Sequence, residues 1–353
     1  MRRKVTIDDI ARQSSASRTT VSLVLRDKPG IGAETRQRVW AAAHHLGYQR
    51  RAPVAVAPGQ GILNIGLIQR SRRRVVEIRL PGVNAFYSWV LAGIEAAARP
   101  QRMNLLYAAL EVDDDNQPLD LPDHLLAQRL DGVLLIGSFA EATIAAVANH
   151  GTGAVVLVDG PAGSHHHDAI VSDNENGAYT AVRHLIDRGH RRIAYVSPEP
   201  QADPNFQQRR DGYHRALREF ALAPYAAPMT ADDATAATAQ LLSRHPEVTA
   251  LFACNDGCAI KAIRAAQGLG RRVPENLSVV GFDDIELAAQ FTPALTTMAV
   301  DKVTMGRLAV QMLAYRLLWP EAAKVLTVLR PELVARESVA AMGTTLRADG
   351  PEG

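Results

Sequence analysis

The sequence predicts an α/β protein, with a small helical module at its N-terminus and a core of two similar halves built on parallel sheets. From residue 62 onward, short apolar runs alternate with stretches of helical periodicity, which is typical of βαβ units. The first 51 residues show helical periodicity alone, and their charge differs from that of the rest. These two observations indicate a separate module attached to a two-part core.

Charge separates the N-terminal module from the rest of the chain. Residues 1–51 contain eleven Lys/Arg against four Asp/Glu, a net charge of +7. The chain totals are 39 against 37, which leaves 28 against 33, or −5, for residues 52–353. A basic module on an acidic body indicates a polyanionic partner for the module only.

Three short helices are predicted in the module, which spans residues 1–50. Thr6 can cap the first helix, with Asp9 three residues later as in a capping box, before "SSAS" interrupts it. Ser17 can cap the second helix, and a third covers residues 33–46. Two helices joined by a tight turn and followed by a third predict a helix-turn-helix, whose second helix fits the major groove of DNA.

The second helix of the module has two different faces. Val21, Val24 and Leu25 form its inward apolar stripe. The alternative is a small bundle used for protein contacts, which does not account for the excess of positive charge. The outward face carries Arg18, Thr19, Ser22 and Arg26.

The rest of the chain divides into a linker, two halves and a tail. Residues 51–61 are rich in Ala, Pro and Gly and are predicted to form a hinge linker. The last segments of the core are expected to cross back between the halves, which leaves a ligand cleft at the hinge. The predicted parts are residues 62–170 with 298–328, residues 171–297 with 329–341, and a flexible tail, 342–353.

Neither export nor metal binding is predicted. "MRRKVTIDD" has no apolar region behind it, and no apolar run is long enough to span a membrane, so a cytoplasmic protein is expected. Cys254 and Cys258 in "CNDGC" have a poor spacing for a structural disulfide and are too few for zinc, so we interpret both as packing residues. The adjacent histidines of "SHHH", residues 164–167, cannot all face one ion.

The most specific motifs are spread along the chain. They are "VTIDDIA" followed by "VSLVL", then "ETRQRVWAAAHHLGY", "SDNENGAYTAVRHLIDRGHRRIAYV", "RRDGYHRAL", "CNDGCAIKAIRAAQGLG", "LSVVGFDD" and "PELVARES". In order and spacing these segments resemble the lactose-repressor family of bacterial transcriptional regulators, over nearly the whole chain.

The resemblance implies a helix-turn-helix headpiece joined to a periplasmic-binding-protein-like core. It implies a homodimer, or a dimer of such dimers, whose paired headpieces bind pseudo-palindromic, double-stranded operator DNA while the core senses a small effector, commonly a sugar. A two-fold dimer spaces two recognition helices one turn of DNA apart, ~34 Å, and hinge closure can alter that spacing. The implied role is a repressor of genes for sugar uptake or catabolism, without a cofactor.

Candidate DNA contacts follow from the same resemblance. Arg18 and Thr19 match the positions that read base edges, where Arg can pair with guanine and Thr is less selective. Ser17, Thr20 and Ser22 match positions that contact phosphate or cap the helix. The full candidate set is Thr6, Ser17, Arg18, Thr19, Thr20, Ser22, Leu23, Arg26, Val56 and Ala57.

Two candidate contacts depart from the family pattern. Leu23 stands where relatives often have arginine, so one base contact is absent or is replaced by contact with a thymine methyl. Ala57 falls where relatives place a leucine wedge in the minor groove, with Pro53 and Pro58 around it, and proline is unsuited to a helix interior. Either Val56 substitutes as the wedge, or this hinge bends DNA less.

Four core residues match ligand-contacting positions of the family: Asp159, Arg209, Asn255 and Asp283. Carboxylate, amide and guanidinium groups at strand ends and helix starts suit a hydroxyl-rich ligand. The alternatives are a helix cap for each of the two aspartates and a surface ion pair for Arg209.

Phe86 and Tyr87 match the edge of the ligand pocket and could stack on a sugar ring, with plain core packing as the alternative. The insert at residues 70–82 is longer and more basic than the family pattern, and is interpreted as a solvated loop that could also recognise an anionic ligand or extend the dimer surface. Residues 229–233 lack the aromatic that many relatives place in the pocket, which leaves the ligand class open.

Two other functions compete with regulation. An exported solute-binding receptor of a transport system would share the core, but it would need a signal peptide and no basic headpiece. An enzyme would need a nucleophile or an acid–base set, and Asp159, Arg209 and Asp283 have no Ser/His or Cys/His arrangement beside them. The sequence therefore favours a ligand-responsive DNA-binding regulator that is not an enzyme.

Overall fold

A computed structural model describes residues 7–25, 31–46, 62–72, 85–113, 117–122, 130–149, 154–160, 166–198, 203–229 and 234–342. They belong to two compact units, one within residues 1–58 and the other within residues 59–353.

The N-terminal unit is a three-helix headpiece. Its helices are α1 (Ile7–Ser14), α2 (Arg18–Leu25) and α3 (Ala33–His45). Ile10, Val21, Val24 and Val39 have no exposed surface and form its core together with Ala42 and Ala43. The predicted inward stripe is confirmed at Val21 and Val24, and the side chain of Leu25 lies outside the described part of the structure.

A tight turn joins α1 to α2. Ser15 adopts the left-handed backbone conformation, with φ +50°, and the hydroxyl of Ser14 donates to the carbonyl oxygen of Ile10 at 2.7 Å. The N–H of Thr20 donates to Ser17 Oγ at 3.0 Å, so the predicted cap of the second helix is confirmed. The other predicted cap, Thr6, lies outside the described residues.

The larger unit alternates strands and helices, as the sequence predicts. Its strands are β1 (Leu63–Arg72), β2 (Met103–Val112), β3 (Gly132–Ile136), β4 (Val155–Val158), β5 (Asp168–Ser172), β6 (Ile193–Pro198), β7 (Tyr225–Met229), β8 (Ala250–Ala253), β9 (Ser278–Val280), β10 (Thr297–Ala299), β11 (Leu326–Leu329) and β12 (Glu332–Val334). Its helices are α4 (Ala85–Ala98), α5 (Glu141–Asn149), α6 (Asn174–Asp187), α7 (Pro204–Glu219), α8 (Ala234–Arg244), α9 (Asp256–Gly268), α10 (Glu286–Gln290) and α11 (Lys302–Leu318), with a short 3-10 helix at Arg99–Gln101.

Each half of the larger unit is organised around one parallel sheet. The first sheet has the order β11-β5-β4-β3-β1-β2, and the second has the order β7-β6-β8-β9. β3 and β4 are fully buried, as expected for strands covered by helices on both faces. Glycines allow α4 and α11 to pack closely. A Cβ at Gly93 or Gly306 would overlap the backbone of the other helix.

Three connections link the halves. The chain leaves the first sheet after β5, returns through α11 to add β11, and leaves again to β12. β12 pairs antiparallel with β10 beside the second sheet.

Three of the predicted domain boundaries are wrong, because each falls inside a strand. A division at 170/171 falls inside β5, whose residues 168–172 pair with β4 and β11 in the first sheet. Divisions at 297/298 and 328/329 fall inside β10 and β11. Periodicity locates a strand, but its sheet is decided by partners far away in sequence, and Leu326 pairs with Ala169.

Candidate functional site

Polar side chains from both halves meet where strands of the two sheets end. Asp159 directly follows β4, Asp283 follows β9, and Arg209 lies on α7. Carboxyl ends of parallel strands lie at one edge of a sheet, so they gather residues that are distant in sequence. We give the name junction site to Asp159, Arg209 and Asp283 together with five polar side chains around them: Arg70, Tyr87, Asn174, Asp203 and Asn205.

Arg209 is the best-anchored residue of the junction site, with 3% of its surface exposed. Its Nε donates to Asn174 Oδ1 at 2.8 Å, and its Nη1 donates to the carbonyl oxygen of Cys254 at 2.6 Å. Its Nη2 lies 3.1 Å from Asp283 Oδ1, and its guanidinium carbon lies 3.8 Å from the ring centre of Phe282. A planar donor group fixed in this way suits oriented hydroxyl or carboxylate ligands.

Asp283 is a buried carboxyl on an unusual backbone. Its φ is +108°, a conformation that residues other than glycine rarely adopt. Burial raises the pKa of Asp283, while Arg209 and Lys302 act in the opposite direction. Lys302 Nζ donates to the carbonyl oxygens of Asp283, at 2.5 Å, and of Asp284, at 3.0 Å. Such a shifted carboxyl beside fixed cations is typical of a functional site.

Asp159 presents one engaged and one open carboxylate oxygen. The hydroxyl of Tyr87 donates to Oδ2 at 3.0 Å, whereas Oδ1 is buried and accepts no hydrogen bond from the described residues. Burial and the neighbouring carboxylate of Asp203 raise the pKa of Asp159 to about 7. Because a buried open oxygen is costly, it indicates a place for a donor group that the described residues do not supply.

Contacts across the junction hold the halves together. Arg70, at the end of β1, donates to the carbonyl oxygen of Ser138 at 3.0 Å and lies 3.4 Å from Asp203 Oδ2. Asn205 Nδ2 donates to the carbonyl oxygen of Asp159 at 3.2 Å. Asp203 and Asn205 lie at the start of α7 in the second half, whereas Arg70 and Asp159 belong to the first half. The Arg70–Asp203 and Asn205–Asp159 contacts therefore link the two halves directly.

The two predicted aromatics behave differently. Phe86 is 5% exposed and packs in the core, edge-to-face with Tyr87 at 5.2 Å between ring centres. Tyr87 directs its hydroxyl to Asp159, and burial with the nearby carboxylate raises its pKa well above the usual range, so it stays a neutral donor. A role for Phe86 in ligand contact remains a prediction.

Asn255 is the N-cap of α9. Its Oδ1 accepts the N–H of Cys258 at 2.8 Å, which occupies the side-chain oxygen. Its side chain is half-buried, and its predicted ligand contact remains a prediction.

The structure does not support the alternative interpretations of three site residues. Asp159 precedes no described helix, and the helix after Asp283, α10, has Ile285 as its N-cap. Neither aspartate is therefore the helix cap that the alternative supposed. Arg209 is buried, so its pair with Asp283 is not a surface ion pair.

The candidate DNA contacts that can be placed lie at the start of α2. Ser17, Arg18 and Thr19 are exposed, and Thr20 is half-buried, with its hydroxyl 2.8 Å from Ser17 Oγ. Ser22 and Leu23 belong to the same helix. The remaining candidates, Thr6, Arg26, Val56 and Ala57, lie outside the described residues.

Sequence reasoning missed four polar residues of the junction site: Arg70, Asn174, Asp203 and Asn205. Arg70 was grouped with the basic insert at 70–82, of which residues 73–82 lie outside the described residues. Asp203 precedes Pro204, and Asn174 follows Asp173, so both helix starts carried a local signal. That signal predicts a cap, not a contact across the molecule.

Two negative findings concern the described residues. They contain no group of three or more His, Cys, Asp and Glu side chains placed to hold a metal ion. Among the described helices, none has the length and apolar character needed to cross a membrane.

Comparisons with known proteins match both units. The model of the lacI family of bacterial regulatory proteins matches residues 6–51, and a periplasmic binding protein-like domain matches residues 182–339. An HTH-type transcriptional repressor, PurR of Aliivibrio salmonicida, is 32% identical over 95% of this chain and 98% of its own length. The chain belongs to the lacI family.

Solved structures of the family agree over the full length. A complex of the transcriptional regulator CelR with cellobiose has a TM-score of 0.67 and 26% identity, and covers 95% of this chain and 100% of that one. A lac repressor dimer bound to operator and the anti-inducer ONPF also has a TM-score of 0.67 and 26% identity, with 96% and 100% covered. The predicted fold and the predicted helix-turn-helix repressor of transcription are confirmed, and the transport-receptor alternative is not supported.

Proposed function

We propose that this lacI-family protein represses transcription as a homodimer on a pseudo-palindromic operator, and that a small hydroxyl-rich effector at the junction site changes its DNA affinity. The observation that carries the effector proposal is the open oxygen of Asp159 in the same site as the fixed guanidinium of Arg209. One supplies an acceptor and the other supplies donors, a combination that recognises neighbouring hydroxyl groups.

A sugar or sugar derivative is the effector class that we favour. The polar groups of the site alternate donors and acceptors, and Tyr87 adds an aromatic ring against which an apolar sugar face can pack. CelR, a relative with the same fold, is solved with a disaccharide. Because Arg70 and Asp203 join the halves at this site, an occupant changes how firmly the halves are held together.

On DNA, we propose that Arg18 and Thr19 read base edges while Ser17, Thr20 and Ser22 contact phosphate. The exposure of Arg18 and Thr19 at the start of α2 leaves both side chains accessible to DNA, which supports their part in this proposal. The same proposal includes Leu23 in the groove and Thr6, Arg26, Val56 and Ala57 as further contacts. The +7 charge of residues 1–51 supplies the general attraction to the phosphate backbone.

We further propose that the protein acts in the cytoplasm and has no catalytic activity. Its described junction-site groups are carboxyl, amide, phenol and guanidinium side chains, whose hydrogen bonds hold one another in place. Asp159, the one carboxyl of the site whose pKa is raised to about 7, is held by Tyr87, which suits binding better than proton transfer.

DNA binding is tested with the full-length protein and a labelled duplex of the region upstream of its gene. We expect fluorescence anisotropy to report binding that weakens as salt rises and exceeds binding to a random duplex. Arg18→Ala should lower operator binding by about 1–3 kcal/mol and random-duplex binding much less. Equal losses on both duplexes would make Arg18 a phosphate contact only.

Effector binding is tested by calorimetry with ribose and cellobiose as the first probes, followed by operator binding in their presence. Asp283→Asn is the matched variant, because it keeps the size of the side chain and removes its charge. A sugar that binds the wild type, changes operator affinity and fails with the variant supports the site. Unchanged affinity in the variant would place the effector elsewhere.

A further inference from the structure

The two cysteines of the protein lie side by side next to the junction site. Cys254 follows β8 and Cys258 is the third residue of α9, and their sulfur atoms are 3.5 Å apart. Both carry free thiols. The two sulfurs approach because Asn255 caps α9, folding the chain between the cysteines into a single turn.

The two thiols differ in access. Cys254 is fully buried, whereas 8% of Cys258 is exposed and its neighbour Gly257 is exposed as well. A small oxidant therefore reaches Cys258 first. Burial and the Cys258 sulfur raise the pKa of the Cys254 thiol well above its usual range, so Cys254 is the poorer nucleophile towards free oxidant and reacts instead with a sulfenic sulfur held beside it.

We propose that Cys254 and Cys258 form a redox-active pair that hydrogen peroxide converts to an intramolecular disulfide. The sulfur of Cys258 attacks one peroxide oxygen, the O–O bond breaks, and water leaves as Cys258 becomes a sulfenic acid. The sulfur of Cys254 then attacks the sulfenic sulfur and expels a second water. Two thiol protons and two electrons are lost in total, and one peroxide is reduced to two waters.

Closing the pair moves groups that hold Arg209. The sulfurs must approach from 3.5 Å to about 2.05 Å, so the turn between them tightens. The carbonyl oxygen of Cys254 accepts from Arg209 Nη1, and the N–H of Cys258 is held by Asn255. Oxidation therefore loosens the placement of Arg209, and only the effect of this on effector binding rests on the proposed function.

The chemical step is tested on the full-length protein by intact mass spectrometry. The folded protein is treated with hydrogen peroxide, unfolded, and labelled with N-ethylmaleimide. We expect the wild type to lose two hydrogen atoms in mass, to take up no maleimide, and to regain two reactive thiols after dithiothreitol. Two maleimide adducts after peroxide, or sulfinic acids in place of the disulfide, would overturn the proposal.

Single variants assign the order of the two steps. In Cys254→Ser, peroxide should leave a sulfenic acid on Cys258 that dimedone traps. In Cys258→Ser, Cys254 should remain a free thiol under the same treatment. Faster oxidation of Cys254 than of Cys258 contradicts the order that burial predicts.

The coupling to Arg209 is tested by hydrogen exchange, without any effector or DNA. Peptides from α7 should lose protection when the wild type is oxidised and should be unchanged in peroxide-treated Cys258→Ser. Unchanged exchange in oxidised wild type would overturn the coupling. Since neither readout uses effector or operator, failure here is distinguishable from failure of the proposed function.

Discussion

Two buried arginine–aspartate pairs in the larger unit show opposite behaviour. Arg316 on α11 holds Asp168 with two contacts, Nε at 2.7 Å and Nη2 at 2.8 Å, and its other donors reach carbonyl oxygens beyond the end of the helix. Arg209 holds Asp283 with one contact of 3.1 Å. The pKa of Asp168 is lowered, because hydrogen bonds from Arg316 and Val325 outweigh its burial, and that of Asp283 is raised by burial.

The two pairs differ in what their contacts hold in place. Every described donor of Arg316 serves the first half itself, so the pair stabilises the connection from α11 to β11. Arg209 divides its donors among Asn174, Cys254 and Asp283, so it makes a single described contact with the Asp283 carboxylate. A buried charged group that makes few contacts with its partner can still bind a ligand, whereas a pair whose donors and acceptors are all engaged cannot.

The largest effect is expected from breaking the saturated pair. Arg316→Ala should lower the free energy of unfolding by about 3–5 kcal/mol, because Asp168 is left buried without its cation. Urea unfolding measures the change. Arg99→Ala, which removes an exposed pair with Glu95, is the control and should cost less than about 1 kcal/mol. Similar losses in both variants would show that Arg316 is not a structural anchor.

The second prediction concerns the pair that is proposed to bind the effector. Arg209→Ala should weaken binding of an effector found in the sugar screen by about 2–3 kcal/mol, or 30- to 150-fold, since charge-assisted bonds are lost. Its loss in unfolding free energy should be smaller than that of Arg316→Ala, because Asp283 can take up a proton. Calorimetry and urea unfolding test the two parts. Full effector affinity together with a large loss of stability would make Arg209 purely structural.

A third carboxyl extends the comparison to a site whose described partners are uncharged. Asp256 accepts from the hydroxyl of Thr297 at 2.5 Å and the N–H of Ile285 at 2.8 Å, and burial with the neighbouring Asp283 raises its pKa to about 8. The folded protein therefore keeps a proton that the unfolded chain, with a carboxyl pKa of about 3.9, releases. Its contribution to stability is full below about pH 4 and is lost as the pH rises through about 8.

Between pH 6 and 8, this carboxyl should lower the free energy of unfolding by about 1 kcal/mol per pH unit. Asp159, whose pKa is raised to about 7, adds its own decline over the same range, so Asp256→Asn should make the slope shallower by about the Asp256 contribution without abolishing it. Urea unfolding across this range measures the slope. Asp168→Asn is the opposite case, because the lowered pKa of Asp168 gives stability at neutral pH that is lost on acidification. A wild-type slope that persists undiminished in Asp256→Asn would assign it to another group.

The smallest effect is expected at the contact between the halves. Arg70 and Asp203 lie 3.4 Å apart, longer than a strong charge-assisted hydrogen bond, so their coupling should be about 0.2–1 kcal/mol. A double-mutant cycle of Arg70→Ala and Asp203→Asn measures it by urea unfolding, and asparagine retains the cap of α7. A coupling as large as the Arg316 effect would make this contact a structural anchor as well.

The local features of this protein can be predicted from its amino-acid sequence alone. The helices of the headpiece, the cap at Ser17 and the alternation of strands and helices depend on residues a few positions apart, so periodicity and capping patterns predict them. Asp159, Arg209 and Asp283 were expected from the resemblance to the lactose-repressor family, whose ligand-contacting positions they match. The net charge of the headpiece can likewise be counted from the sequence without a structure.

Contacts between residues that are far apart in sequence are known only from the tertiary structure. Asp168 and Arg316 are 148 positions apart, β5 proved to belong to the first sheet, and Arg70 reaches Asp203 across the junction. The 3.5 Å approach of Cys254 and Cys258 also depends on how the turn at Asn255 folds. Such contacts are selected by packing of the whole core and by the burial of charge, which no local pattern records.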